Sequence, residues 1–569
     1  MTPEHIPAMR AVVKVLESEG VDTAFGIPGA SILPLYDALR ESSIRHLVVR
    51  HEEAATHAAD GYSRASGRIG VAIGTSGPAG TNMVTGLYTA MADSVPILTI
   101  TGQVPVAQLS REGFQAVDIA EIVKPVVKQS YLVTEAAQLP WVFRAAFRVM
   151  REGRPGPVHI DLPLDVQLTE ILYDAGAGAP LPVARTAPEP AAIERALDLL
   201  LGAERPLLMP GGGVIGSGAS ALLVELAELL QIPVLPTLMG WGAIPDDHPL
   251  YAGLAGIQTQ TRAGNRALLE SDLVLAVGAR FAERHTGDLA VYRGERRFIH
   301  IDVEPTQIGR IFAPDLGIVA DARLALEALV EGARRRGQRG PTGWSRAVPE
   351  RRAELARRTD YDDVPIKPQR VFQEINAAFG PETVFVTAIG LYQIWSGQFQ
   401  RVFRPRHYLI CGQAGPLGWE VPACIGVKLA RPEAPVVGIV GDYSFQFLME
   451  EVAVACQYDI PFVLVMLNNA YLGLIRQSEI KYGMNVEVDI AYDDAYGIDH
   501  VTVMEGMGAY GRRVKRPEEI RAALDWAVAT AEAKRRPVLV EVLIEREANA
   551  AMGTAIDAIA EFEPIAAEV

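Results

Sequence analysis

The stretch from Val436 to Ile475, VVGIVGDYSFQFLMEEVAVACQYDIPFVLVMLNNAYLGLI, decides the fold. Val436 to Val440 and Phe462 to Leu467 are short apolar runs of strand length, rich in β-branched residues and closed by polar ones. Between them Phe445 to Gln457 predicts a helix, with Phe447, Leu448, Val452 and Ala455 on its apolar face and Glu450 and Glu451 elsewhere. The three pieces make one βαβ unit. Its crossover brings both strand ends to one sheet edge, so Asp442 and Asn469 are expected side by side where open α/β sheets bind ligands.

A carboxylate, an amide oxygen and the main-chain carbonyl of Tyr471 make a hard oxygen site with open positions. That suits Mg²⁺, which takes few protein ligands and completes its shell with water and phosphate oxygens. Taken singly, Asp442 reads as a helix cap and Asn469 as a turn residue. Their placement at the ends of neighbouring strands favours the site.

Around this unit, 569 residues predict roughly three to four domains. The expected fold class is α/β, with three doubly wound parallel-sheet domains at 1–176, 191–335 and 364–569. Ala177 to Pro190 and the Arg-rich run from Gly332 to Asp363 read as linkers. No apolar run reaches about 18 residues and the N-terminus lacks a signal-peptide core, so a cytoplasmic protein is expected, with no membrane partner. Cys411, Cys424 and Cys456 have neither metal-ligand spacing nor a disulfide pattern. A net charge of −16 argues against nucleic acid as partner and leaves an anionic substrate to local donors.

In chain order, Thr23 to Phe25 is a strand running into a tight turn at Gly26, Pro28 and Gly29. His46 to Val49 leads to Arg50-His51-Glu52-Glu53 and an Ala-rich helix, where Glu52 alone reads as a helix-start acid. Val71 to Thr75 is followed by Ser76-Gly77, an anion-binding type of turn. In the middle segment Gly211, Gly213 and Gly216, with Gly212 among them, fit a dinucleotide glycine pattern. The next expected strand, Ile232 to Leu238, ends in Thr237-Leu238-Met239 with no acid, which argues against a nicotinamide site. Later strands end at Gly278-Ala279-Arg280, Asp302-Val303 and Asp321-Ala322. In the last segment Val384 to Thr387 is a strand ending in Ala388-Ile389-Gly390, and Cys411 to Trp419 is a Gly-rich loop.

The run from Gly441-Asp442 to Asn468-Asn469 resembles the thiamin diphosphate motif of the acetohydroxyacid synthase and pyruvate oxidase superfamily. The resemblance implies thiamin diphosphate held through Mg²⁺ by Asp442, Asn469 and the Tyr471 carbonyl. Gly441, Tyr443, Ser444, Leu472, Gly473, Gly390 and Gln413 would join that cradle; Tyr443 stands where many relatives have Gly. Arg50-His51-Glu52, with its helix running through Gly61-Tyr62, resembles the segment whose Glu bonds a ring nitrogen of the aminopyrimidine. Pro28, Gly29, Ser76, Gly77, Phe114 and Gln115 are then coenzyme neighbours. Leu417 takes the place of the apolar wedge that bends the coenzyme, and Ile389, Leu474 and Ile475 are expected with it around the reacting carbons. The middle segment resembles the flavin-carrying branch, implying structural FAD along Gly211 to Gly213, Thr237 to Met239, Gly278, Arg280, Asp302, Val303, Asp321 and Ala322.

GQAGPLGW, NNAYLGLIRQ, TLMGWGAIPDDH, RFAERHTG and DVEPTQIGR resemble the glyoxylate carboligase subfamily, as does the C-terminal stretch with Glu545, Asn549, Met552-Gly553, Asp557 and Glu561-Phe562-Glu563. That implies a carboligase joining two glyoxylate molecules to tartronate semialdehyde and CO₂, in a homodimer at minimum and usually a tetramer. One residue departs. Glu52 stands where this subfamily commonly has valine, with Glu53 matching the acid that follows, so the ordinary superfamily acid sits on a carboligase scaffold. An acetohydroxyacid synthase acting on pyruvate is the alternative.

Overall fold

The computed structural model describes residues 3–174, 179–492 and 496–566. The predicted boundary at residue 176 and the first two residues of the Ala177 to Pro190 linker lie outside them. The rest of that linker carries no helix or strand before Pro190.

Three parallel sheets carry the chain. The first contains Thr23–Gly26 (β1), Arg45–Val48 (β2), Gly70–Gly74 (β3), Ile97–Gln103 (β4), Gln129–Leu132 (β5) and Val158–Pro163 (β6), in the order β2-β1-β3-β4-β6-β5. The middle sheet has Pro206–Pro210 (β7), Leu273–Val277 (β8), Arg297–Asp302 (β9) and Leu316–Val319 (β10), ordered β10-β9-β8-β7. The third has Val384–Thr387 (β11), Tyr408–Ile410 (β12), Val436–Gly441 (β13), Val463–Asn468 (β14), Tyr510–Val514 (β15) and Val538–Leu543 (β16), ordered β12-β11-β13-β14-β16-β15. The first and third sheets therefore share one strand order. In each, the chain steps outward from its first strand and returns to that strand's other side, which opens a crevice at the carboxyl ends of the flanking strands.

The central strands are apolar and buried along their length, as sheets covered on both faces require. Three expectations need correction. The helix predicted over Phe445 to Gln457 is broken into Asp442–Phe445 and Glu451–Gln457. Tighter i to i−3 bonds, Gln446 N–H to Tyr443 O and Phe447 N–H to Ser444 O at 3.2 Å each, turn the chain between them. Phe447 consequently leaves the core and is half-exposed, while Leu448, Val452 and Ala455 stay buried.

Ile232 to Leu238 makes only two isolated bridges, both at Val234, to Leu208 and to Tyr251. Pro233 and Pro236 lack the N–H groups a longer ladder would use. The run from Gly332 to Asp363 is not a plain linker: the helix Ala322–Arg336 extends into it, and Gly343–Glu354 is a second helix. A Thr342–Ser345 capping box starts that second helix, and Trp344 donates to the Pro206 carbonyl at 2.9 Å.

The first and third units meet along two helices, Glu52–Ser66 (α1) and Glu420–Ala430 (α2). A Cβ on Gly426 would lie 1.9 Å from the Ala58 carbonyl oxygen, and one on Gly61 2.6 Å from that of Ala423. Only glycine permits such backbone contact. The pairing is antiparallel: Ala58 meets Gly426, Gly61 meets Ala423, and the Arg64 guanidinium lies 5.4 Å from the Trp419 ring centroid.

Candidate active site

At the third sheet's crevice, β13 and β14 are in register with Gly441 opposite Leu467, so Asp442 and Asn469 leave adjacent strands at one edge, as expected. Both are buried. Burial pushes the Asp442 carboxyl up to about 7, and its Oδ2 is buried with no hydrogen-bond partner among the described residues. Such an orphaned oxygen is costly unless a cation or donor meets it.

Beyond Asn469, Ala470 adopts φ of +53°, which turns the chain sharply. Leu472 N–H bonds Val488 O at 3.0 Å and Ile490 N–H bonds Ala470 O at 3.1 Å, so the pairing beside Tyr471 does not use the Tyr471 carbonyl. A carboxylate oxygen, an amide and a carbonyl that this pairing leaves unused thus follow neighbouring strand ends, a hard-oxygen set of the kind that fits Mg²⁺.

The loops after β11 and β12 close on this edge. Tyr392 packs between the two glycine turns: a Cβ would stand 2.3 Å from its ring at Gly390 and 2.6 Å at Gly441. Its hydroxyl donates to Glu420, a buried carboxylate that also accepts from Ser444 Oγ at 2.9 and 3.0 Å. Ser444 Oγ in turn accepts from Gly418 N–H at 3.0 Å. This chain of bonds fixes the Leu417 loop against the Asp442 turn. A Cβ on Gly415 would lie 3.5 Å from Ile389, and one on Gly473 2.8 Å from Asn469 Nδ2. Ile389, Leu417, Asn469 and Gly473, with Leu474 next to it, therefore border one edge; Leu474 is half-buried and Ile475 is 48% exposed.

At the first sheet's crevice, the Gly29 turn lies against Thr75, where a Cβ on Gly29 would come within 2.5 Å. Ser76 N–H donates to Ser31 Oγ at 3.0 Å. Gln115 (φ +58°) packs on Gly77 and accepts from Ser76 Oγ at 3.4 Å. Pro28, Gly29, Ser76, Gly77 and Gln115 are thus gathered, whereas Phe114 is 86% exposed.

Glu52 is the first residue of α1, below a His51 cap whose Nδ1 accepts from Glu53 N–H at 3.1 Å. Asn82, from the neighbouring short helix Pro78–Asn82, donates to Glu52 Oε2 at 2.9 Å. Burial and the Glu52 charge push the Tyr36 hydroxyl well above its ordinary pKa. The segment before Glu52 is held by Glu451, whose Oε1 accepts from Arg50 N–H at 2.7 Å and His51 N–H at 3.1 Å.

Arg64 lies over Trp419, next to the Leu417 loop, and Glu52 stands twelve residues up α1, about 18 Å away along its axis.

In the middle unit Gly211 and Gly213 touch the Gly278 backbone, where added Cβ atoms would fall within 2.1 and 2.8 Å, and Met239 borders Gly212. Gly216 meets nothing within 4 Å, so the third glycine of the dinucleotide pattern serves no close approach. Asp302 is buried, with its carboxyl pushed up by that burial. Asp321 caps the helix after it, accepting from Arg323 and Leu324 N–H at 3.0 and 3.2 Å, and Ala322 opens that helix. Residue 303 is half-buried.

Sequence reasoning missed Asn82, Tyr392, Glu420 and Asp93. The buried Asp93 carboxylate accepts from Arg64 at 3.1 Å, Arg280 at 3.4 Å and Gln413 N–H at 3.1 Å, tying the three units together. Glu420 carried little signal, since it opens its helix, where an acid is ordinary.

The chain matches three family descriptions in succession. They are "Thiamine pyrophosphate enzyme, N-terminal TPP binding domain" over residues 7–122, "central domain" over 193–329, and "C-terminal TPP binding domain" over 388–542. It is 52% identical to a glyoxylate carboligase of Escherichia coli O157:H7, covering 98% of this chain and 96% of the relative. It is 40% identical to a probable acetolactate synthase large subunit of Methanocaldococcus jannaschii (94% and 91%). An acetolactate synthase large subunit of Corynebacterium glutamicum is 37% identical (96% and 88%).

Proposed function

The chain belongs to the thiamine pyrophosphate enzymes and is a thiamin diphosphate-dependent carboligase, and we propose that it condenses two glyoxylate molecules to tartronate semialdehyde with release of CO₂. One observation carries this choice within the family: identity to the glyoxylate carboligase is 52% over nearly the whole chain, against 40% to the first acetolactate synthase.

The coenzyme's diphosphate would be held through Mg²⁺ by Asp442 Oδ2, Asn469 and the Tyr471 carbonyl, with Gly441 to Ser444 and Leu472-Gly473 lining the cradle. The unpartnered Asp442 oxygen supports this. When bound, thiamin diphosphate supplies a nucleophilic carbon and the electron sink that decarboxylation needs. Glu52, with Oε2 fixed by Asn82, keeps Oε1 to hold a proton at the coenzyme pyrimidine. Ile389, Leu417, Leu474 and Ile475 would line the substrate pocket and exclude water, an apolar setting that favours decarboxylation.

The twelve residues of α1 between Glu52 and Arg64, which lies over Trp419 next to the Leu417 loop, support a homodimer in which one chain's acid serves the other's cradle. The exposed Phe114, Phe447 and Ile475 supply apolar surface for that contact. The glycine cradle at Gly211, Gly213 and Gly278, with Met239, Arg280 and Asp302 near it, supports structural FAD. Gly212, Thr237 and Leu238 would continue that site, and Val303, Asp321 and Ala322 would extend it along the later strand ends.

The test gives the purified protein thiamin diphosphate and Mg²⁺, offers glyoxylate and pyruvate separately, and follows CO₂ and the condensed product. One tartronate semialdehyde per CO₂ from glyoxylate is expected. Acetolactate from pyruvate, or formaldehyde with CO₂, would refute the assignment. Absorbance near 450 nm in the purified protein reports the flavin.

A further inference from the structure

We infer that Glu541 is a positioning residue that holds both arms of the metal cradle, through Asn468 on one side and through His500 and Gln446 on the other. The inference rests on the reading of Asp442 and Asn469 as that cradle. Glu541 interrupts β16, V-L-V-E-V-L, and is fully buried. A charge in such a run is tolerated only when it is paired on every side.

It is so paired. Oε1 accepts from Asn468 Nδ2 and from His500 Nδ1, each at 2.8 Å, and Oε2 accepts from Arg513 Nε at 2.6 Å. Burial pushes the carboxyl up, and the bonds from His500 and Asn468 more than reverse that, leaving it below its ordinary range.

The first arm is short. Asn468, with its amide nitrogen committed to Glu541, turns its Oδ1 to Ala470 N–H at 2.9 Å. That bond closes the turn in which Ala470 takes its left-handed φ of +53°, a conformation that an alanine rarely adopts. The turn is what presents the Asn469 side chain and the Tyr471 carbonyl.

The second arm runs through the imidazole. His500 donates a hydrogen bond from Nδ1–H to Glu541, which leaves Nε2 as an acceptor for the Gln446 amide at 3.3 Å. The same Gln446 nitrogen donates to the Asp442 carbonyl at 3.1 Å. One carboxylate therefore fixes the backbone at Asp442 and the turn after Asn469 at once, although neither residue touches it. His500, Asn468 and Glu541 are each fully buried, so water does not compete for these bonds.

Outer-shell partners of this kind change metal affinity by about 10–100-fold when altered. The test is calorimetric titration of Mg²⁺ into the full-length protein with thiamin diphosphate present, comparing the parent with Glu541→Gln, Gln446→Ala and Asp442→Ala. Thermal midpoints of the metal-free proteins are measured alongside. Glu541→Gln is expected to weaken Mg²⁺ binding about 10–100-fold and to regain coenzyme binding at high Mg²⁺, with a metal-free thermal midpoint near the parent's, which sets it apart from a simply unstable protein. Gln446→Ala cuts one arm at a half-buried position and is expected to shift affinity the same way by less; it decides the matter if Glu541→Gln does not fold. Unchanged Mg²⁺ dependence in the folded variants, with binding abolished by Asp442→Ala, overturns the role of Glu541 alone. Unchanged dependence in Asp442→Ala overturns the cradle, and with it this inference.

Discussion

Replacing Glu451 by glutamine should stabilise the protein, and by more the higher the pH. The carboxylate is fully buried; one oxygen receives the Arg50 and His51 N–H groups, and the other has no partner among the described residues. Burial pushes its carboxyl up to about 7 from an ordinary 4.5. Its folded value lies above its unfolded one, so between the two the native state binds more protons and stability falls as pH rises. The carboxyl then costs about 0.8 kcal/mol at pH 5 and about 3.3 kcal/mol at pH 8, near the full value of a 2.5-unit displacement. Glutamine keeps an oxygen for the two N–H groups and has no charge to bury. Urea unfolding of parent and variant at both pH values should show the variant's advantage growing by about 2.5 kcal/mol from pH 5 to pH 8. An advantage that is flat or shrinks with pH would mean that Glu451 is ionised throughout and held as a stabilised carboxylate, and the reasoning from burial would be wrong.

Asp442→Ala should abolish Mg²⁺-dependent coenzyme binding while leaving the fold intact, since removing Oδ2 also removes an orphaned buried oxygen; normal carboligation by this variant would end the proposed assignment. Glu52→Gln should bind coenzyme but exchange the proton on its reactive carbon more slowly, by about 10²–10⁴-fold, as read by deuterium exchange; an unchanged rate would take Glu52 out of the proton path. Gly426→Val should weaken the α1–α2 joint by about 3 kcal/mol or more, because its Cβ meets the Ala58 carbonyl rather than a side chain that can move. A thermal midpoint equal to the parent's would show that the helices can part without cost.

The candidate edge was legible because its residues sit at the ends of short, continuously apolar strands closed by polar residues. Asp442, Asn469 and Glu52 could be placed from such patterns without long-range information. The break after Phe445 could not: Ser444 and Glu451 are drawn to Glu420 and to the Arg50–His51 backbone, and those partners overrule a continuous apolar stripe. Ile232 to Leu238 read as a strand by hydrophobicity, although its two prolines were already the argument against one. The helix Gly343–Glu354 was hidden by its arginines, since the few buried residues, Trp344 and Val348 among them, supply little periodic signal. Glu541 stood visibly out of place in its strand, but its partners Asn468 and His500 lie 73 and 41 residues earlier, a distance no local pattern spans.

Under the proposed function, the antiparallel run of α1 along α2 would leave a single chain with two unlike half-sites. In the proposed dimer, each chain would lend its acid and borrow its neighbour's metal cradle, so damage would be assigned by halves rather than by chains. Two inactive proteins, one broken at Glu52 and the other at Asp442, would then rescue each other on mixing: every hybrid pair would place both lesions in one site and leave the other whole. Random pairing would restore about a quarter of all sites.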